Sequence, residues 1–351
     1  MPVSLLQKNP ALDLAKYAAA IIIVSFHALP LFGVEALDVF YGQWFARACV
    51  PLFLISSGYF FAQMDQAQRL SYLRRVTAIY AASTLLYLPM MLIELRNASG
   101  GTTWLLRNLI LGYYHLWYLS ALTVGLAVWL LCAAMPTLRQ HLRRRYPVYA
   151  ILLLLSGALL DEYYKLVDVA ALNQISQLVG FLGGSRHALL FGIPLLLVGR
   201  FIGEHQEALL RLPLSTHLLL GALTAVLGLA ECTFLYWALG AGITNDVTLL
   251  NYAPAVFVFI ASFYLRAGKV ERFSRRLRKN ADLIYIIHPW VIFLTIRLLG
   301  LHGLPLGATA IVCSAAGSAV SIALLSRLRS LRSHRSEFSP LSPTPTPDLS
   351  L

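Results

Sequence analysis

The chain is predicted to fold as an all-α polytopic membrane helix bundle of about ten transmembrane helices, with both termini cytoplasmic. Three observations carry this. Hydrophobic residues make up 58% of 351 and charged residues 13%, and mean hydropathy is +0.69, which leaves too little polar surface to wrap a soluble domain. Apolar stretches of about 20 residues recur along nearly the whole chain, the length a helix needs to cross hydrocarbon roughly 30 Å thick. The basic residues fall almost entirely into alternate connections. A transmembrane barrel is excluded, because it would show short segments of two-residue alternation instead.

Taken in order, the predicted spans cover 12–33, 43–62, 76–95, 116–135, 147–160, 187–203, 215–238, 249–267, 283–300 and 306–326. The first has no small-residue cleavage pattern behind it and runs straight into the second, so it is expected to stay as a helix rather than be removed as a signal. The fifth is the shortest. After it, DEYYKLVDVAALNQISQLVGFLGGSR, residues 161–186, is expected to form an external loop with some helix. The bundle is assigned to 1–330 and a disordered cytoplasmic tail to 331–351, rich in Pro and Ser from Ser336 onward, with no apolar face to bury. No internal repeat and no soluble catalytic domain is expected.

Orientation follows from sorting the connections. One set holds Lys8; Arg69, Arg74 and Arg75; Arg139 and Arg143 to Arg145; Arg211; Lys269, Arg272, Arg275, Arg276, Arg278 and Lys279; and Arg327, Arg329, Arg332 and Arg335. The other holds Arg96, Arg107, Lys165 and Arg186. That asymmetry places both termini in the cytoplasm of a multi-pass protein of the plasma (inner) membrane. It also accounts for the net charge of +12 without any nucleic-acid partner. Cys49, Cys132, Cys232 and Cys313 all lie in hydrophobic segments with no metal-like spacing, which predicts packed, reduced thiols and no metal site.

Within the spans, ionisable residues are costly and tend to face one another or a wet cavity. Lys16 and His27 are eleven residues apart on the first span. At about 100° and 1.5 Å per residue they lie within roughly 20° of one face and about 16 Å apart along it. Lys16 by itself is equally a snorkelling anchor, and His27 an interhelical hydrogen-bond partner. Arg47, Glu94, His115, Glu231 and Arg297 are expected toward the outer side, where they could line a polar pocket near His27, although Glu231 with Arg297 could equally be a structural ion pair. Lys16, Arg74, Arg75, Arg200, Arg266 and His288 are expected toward the inner side as a basic surface suited to phosphate. Histidine is the natural general base, since its ordinary pKa is close to working pH.

Four stretches in this order resemble the membrane-bound acyltransferase type 3 family. LDLAKYAAAIIIVSFHALPLF is similar to the family's first span, where a basic residue, usually Arg, precedes the essential His by eleven positions. RACVPLFLISSGYFF (47–61), HLWYLSAL (115–122) and LIYIIHPWVI (283–292) resemble its second span, its HLWFL stretch and its late Tyr-x-x-His-Pro pattern. Two departures stand out: Lys16 replaces the usual Arg, losing two-pronged donor geometry, and Ala78 stands where a second Arg of an Arg-x-x-Arg pair would fall.

The resemblance implies transfer of an acyl group, typically acetyl, from cytoplasmic acyl-CoA (acetyl-CoA) to an extracytoplasmic glycan or lipid-linked saccharide. Carried over, it implies His27 as base with Arg47 and His115 in the catalytic set. Lys16, Arg75 and His288 would hold the CoA end, and Trp117, Glu231 and Arg297 would serve the acceptor. The SSGYFF and YIIHP strings also resemble the membrane part of serine racemases associated with vancomycin resistance, for which amino-acid transport has been proposed. The rival expectation is therefore a transporter of a small polar solute. Acceptor identity, acyl length and oligomeric state are not legible in the sequence.

Overall fold

The computed structural model describes residues 9–96, 98, 100–167, 169–184, 187–240, 247–265 and 271–337. Among the described residues every regular element is helical. Helix α1 (Pro10–His27) starts with Pro10 in its first turn and with the Asn9 side chain accepting from the Leu12 N–H at 3.0 Å, which satisfies one of the donors a helix N-terminus leaves unpaired. A short α2 (Glu35–Phe40) leads through a π turn (Tyr41–Phe45) and a 3-10 turn (Ala46–Ala48) into α3 (Cys49–Gln63). Such irregular turns inside a span are tolerated where they are buried in protein or line a cavity. Here they carry Arg47.

Helix α4 (Gln66–Leu95) opens with a capping box between Asp65 and Gln68. It is followed by α5 (Gly101–Leu111), α6 (Trp117–Ala134), α7 (Pro136–Asp161), α8 (Ala170–Phe181), α9 (Ile193–Glu204) and the single turn α10 (Gln206–Leu209). The chain continues through α11 (Leu214–Leu239), α12 (Ala253–Ala261), α13 (Glu271–Leu299) and α14 (Gly303–Glu337). Seven helical stretches among the described residues are long and apolar enough to cross a membrane: 10–27, 35–63, 66–95, 114–134, 214–239, 273–299 and 303–327. Of the three other predicted spans, 147–160 falls within α7, 187–203 runs over the π turn Ala188–Gly192 and α9, and 249–267 contains the shorter α12; none of these helices is among the seven of membrane length and hydropathy.

The protein is thus membrane-embedded and multi-pass. Its outer shell agrees: Trp237, Leu298 and Leu85 are exposed at 87%, 76% and 69%, an arrangement that suits lipid and would be unfavourable in water.

Polar ends extend several helices beyond their predicted spans. α4 begins ten residues before 76 and α13 twelve before 283. The predicted 331–351 tail is helical as far as Glu337 in α14, and 338–351, like Lys8, Arg186, Arg266 and Lys269, lies outside the described residues. Residues 161–184 contain a 3-10 turn (Tyr163–Leu166) and α8, the helix expected in that loop. The four cysteines are free.

Two packing units position the site. α3 packs closely on α9 around a core of Leu54, Ile55, Tyr59, Leu195, Leu196 and Phe259. α1 lies along α13, which is backed by α14 through Ala20, Val24, Ala281, Ile284 and Ala310. At one end, Asp13 on α1 accepts from Arg278 at 2.9 and 3.0 Å and from the Ser274 hydroxyl, both on α13. This ion pair fixes the register of the two helices.

Candidate active site

Two cavities lie in series along α1. The first, about 1080 Å³, is lined by Lys16, Arg75, Arg275, Arg276, Arg278 and Asp282 among others. The second, about 450 Å³, is lined by His27, Arg47, His115, Trp117, Tyr114 and Arg107 among others. They share Ile23, Val50, Tyr118 and Tyr285 as walls. Lys16 and His27 therefore open into adjoining chambers on the same side of α1, with Ile23, one turn before His27, at the junction.

The histidine end is assembled from three elements. α1 delivers His27 in its last turn. α13 delivers His288, fully buried, with its ring centroid 5.1 Å from that of His27. The turn before α6 delivers His115, 5.0 Å from His288 and 6.4 Å from His27. That turn needs special backbone. Gly112 has φ +95°, and a Cβ there would lie 2.5 Å from Leu116 C and Trp117 N, so only glycine fits. Tyr114 adopts φ 52°, which costs a residue with a side chain about 1–3 kcal/mol. In return its hydroxyl lies 3.2 Å from His27 Nδ1.

The buried imidazoles are incompletely satisfied. His288 Nδ1 is 3.1 Å from the Ile284 carbonyl. A carbonyl only accepts, so Nδ1 carries the proton and Nε2 is left as a lone pair. That Nε2, and both ring nitrogens of His115, have no hydrogen-bond partner among the described residues. Leaving buried polar atoms unpaired costs about 1–3 kcal/mol each, so these nitrogens are open to a hydrogen bond from a group entering the site. Around them, Tyr87 packs 4.9 Å from His115 and donates to the Ile286 carbonyl at 2.7 Å, and Tyr285 donates to the His115 carbonyl. These bonds fix the rings without supplying partners to their nitrogens.

The remaining expected residues divide. Arg47 donates to Gln43 at 3.1 Å and stacks on Phe26 at 5.0 Å, at the wall of the His27 cavity. Trp117 lines the same cavity. Lys16 and Arg75 line the larger one. His288 is not at the basic cavity, where it was expected, but in the histidine group, because α13 starts so early that residue 288 falls near its middle.

Glu231 and Arg297 line neither cavity and do not pair with each other. Arg297 stacks on Phe293 at 5.6 Å. Glu231 accepts from the Leu249 and Leu250 amides at 2.6 and 2.9 Å and from the Tyr163 hydroxyl at 2.5 Å. Burial and that carboxylate push the Tyr163 phenol up. Glu231→Ala is accordingly expected to lower stability by about 2 kcal/mol, through orphaned amides, while leaving turnover per folded molecule unchanged; thermal melting alongside an activity assay checks this. Glu94 lies outside both cavities, and Arg200 pairs with Glu204 at 2.7 Å.

Sequence reasoning missed Asp13, Tyr114, Tyr118 and Asp282, and it had Tyr285 only as part of the Tyr-x-x-His-Pro pattern, with no place in the site. The positive-φ turn that presents Tyr114 had one visible signal, Gly112 just before YYH.

The fold therefore builds, inside an all-helical membrane bundle, a histidine group joined through a shared wall to a cation-lined chamber. The chain belongs to the acyltransferase type 3 family: residues 9–327 match its Acyltransferase domain. It is similar to an amino-acid racemase of Enterococcus faecalis, 30% identical over 55% of this chain and 28% of the relative. It is also similar to a serine/alanine racemase of Enterococcus gallinarum, 26% identical over 81% of this chain and 41% of the relative. The chain thus spans less than half the length of these curated relatives. No solved structure matches it.

Proposed function

We propose that the protein is an integral membrane O-acyltransferase that moves an acyl group, acetyl in the simplest case, from cytoplasmic acyl-CoA to a hydroxyl of an extracytoplasmic carbohydrate. The acceptor class is a glycan or a lipid-linked saccharide, and the membrane is the plasma membrane with both termini cytoplasmic. The observation that carries this reading is the shared wall of Ile23, Val50, Tyr118 and Tyr285 between a cation-lined cavity and one holding His27. Family membership supports the reaction type.

In this reading Lys16 and Arg75 hold the phosphates of the donor by charge-assisted contacts. The pantetheine arm passes the shared wall, so the thioester arrives beside His27. An acceptor hydroxyl enters next to Arg47 and Trp117, and His27 takes its proton as the oxygen attacks the thioester carbonyl. Arg47, at the wall of the same cavity, stabilises the tetrahedral oxyanion. Collapse breaks the carbon–sulfur bond, and the proton on His27 passes to the departing CoA thiolate. A thioester is already activated, so positioning, a base and oxyanion stabilisation are sufficient.

The rival is passage of a small polar solute, favoured by the end-to-end cavities and by relatives named amino-acid racemases. Purified protein in vesicles separates the two. Release of CoA with acylation of a saccharide acceptor supports the enzyme; solute accumulation without CoA release overturns it. Lys16→Ala is expected to raise the KM for acetyl-CoA about tenfold or more, the loss of one charge-assisted contact, with a smaller effect on kcat. Equal KM in variant and parent would make Lys16 an anchor only.

A further inference from the structure

The Lys16 cavity contains two carboxylates, and they differ in kind. Asp13 is spent: Arg278 and Ser274 occupy both of its oxygens. Asp282, one helical turn further along α13, opens onto the cavity and, among the described residues, has neither a hydrogen bond nor an ion pair. Lys16, Arg75 and Arg278 are all close enough to act on it electrostatically. Even so, none approaches within ion-pairing distance, so Asp282 is not held as the counter-ion of any one of them.

A bare carboxylate is an unfavourable wall for a polyanion. It repels phosphate and, as an acceptor-only group, offers a phosphate oxygen nothing to bond. It suits a ligand segment that carries an N–H or O–H. Its depth says which segment. Along α13, Asp282 lies about 6 Å past Arg278, about 4.5 Å before Tyr285 at the shared wall and about 9 Å before His288, at 1.5 Å per residue. It therefore sits between the arginine-rich mouth and the passage to His27, where the phosphates of a donor give way to its uncharged arm.

We propose that Asp282 accepts a hydrogen bond from the hydroxyl or an amide N–H of the donor's pantetheine arm, and so selects a phosphate ligand that carries such an arm over a bare nucleotide polyanion. This rests on the acyl-CoA reading above and adds a binding residue to it. The carboxylate does two things at once. It rewards the arm with a charge-assisted acceptor, and it keeps phosphate groups from sliding inward past Lys16, which holds the thioester in register with His27.

The test compares two ligands of the full-length protein in detergent: acetyl-CoA, and adenosine 3′,5′-bisphosphate, which has the nucleotide end of CoA and no pantetheine arm. Asp282→Ala is expected to raise the KM for acetyl-CoA about tenfold, the worth of a hydrogen bond to a charged group. Inhibition by the bisphosphate should be unchanged or tighter, since a like charge has been removed. Asp282→Asn keeps an acceptor oxygen and is expected to fall between parent and alanine variant for acetyl-CoA.

Retained bisphosphate binding shows that each variant is folded. An unchanged KM for acetyl-CoA, or weakening of both ligands in parallel in both variants, overturns the proposal while leaving the acyl-CoA reading in place. Failure of the unsubstituted protein to bind or turn over acetyl-CoA overturns that reading, and the Asp282 assignment with it.

Discussion

Replacing His27 with alanine is expected to lower acyl transfer by about 10²- to 10⁴-fold, the usual contribution of a positioned general base, while the protein remains folded. The side chain is half-buried at the end of α1 and faces an existing cavity. Its removal enlarges that cavity rather than opening a void in packed core, so the stability cost is small beside the loss of rate. Binding of acetyl-CoA should survive, because Lys16 and Arg75 line the other chamber. His27→Gln should be as inactive as the alanine variant: glutamine restores volume and hydrogen bonding but cannot take a proton. CoA release, acetyl-CoA affinity and melting temperature measured on the same preparations decide it. A variant that turns over at the parental rate would remove His27 from the chemistry and leave the histidine group with a structural role.

The parts of this site that were legible in the sequence are those that depend on a single helix. Lys16 and His27 share α1, and the 3.6-residue repeat alone puts them on one side, as the adjoining cavities show. Hydropathy likewise located the seven helical stretches of membrane length, since it registers the stretch of helix that hydrocarbon must accept. It does not register polar helix beyond the membrane. The ninth span was therefore started at 283, whereas α13 begins at Glu271.

That offset of twelve residues produced two errors of one kind. His288 was placed near a cytoplasmic helix start instead of mid-helix beside His27, and Asp282 was passed over as part of a connection although it faces the basic cavity. Glu231 failed for a different reason. A carboxylate in a span was taken for a pocket group, but its partners are backbone amides at 249 and 250 and a hydroxyl at 163. Only tertiary folding brings these together. The three-histidine arrangement needed the same long-range information, since residues 27, 115 and 288 come from separate elements.

The helix pair α3 and α9 gives the sharpest structural expectation. A Cβ on Gly199 would lie 2.0 Å from the Ile55 carbonyl oxygen and 2.6 Å from the Tyr59 nitrogen, and one on Gly58 would lie 2.1 Å from the Leu196 carbonyl oxygen. The two glycines are reciprocal, each seating the other helix's backbone where no side chain can stand. Small residues at such a contact let helices approach closely in lipid, where dispersion and weak Cα–H···O contacts must supply what the hydrophobic effect cannot. Unlike a core void, this clash involves backbone that cannot rotate away, so the helices themselves must separate.

Gly199→Leu is expected to cost about 3 kcal/mol or more, the upper range of overpacking, with Gly199→Ala intermediate. The effect should reach the chemistry as well. α3 carries Val50 at the shared wall and Ser57 in the Lys16 cavity, so moving it disturbs the passage from the far side. Thermal unfolding in detergent, followed by reaction of the buried Cys49 on α3 with a thiol-specific dye in a background where the other free cysteines, Cys132, Cys232 and Cys313, are replaced by alanine, reads the loss directly. If Gly199→Leu melted with the parent, the close approach of α3 and α9 would be disproved, and with it the wall that α3 contributes between the two cavities.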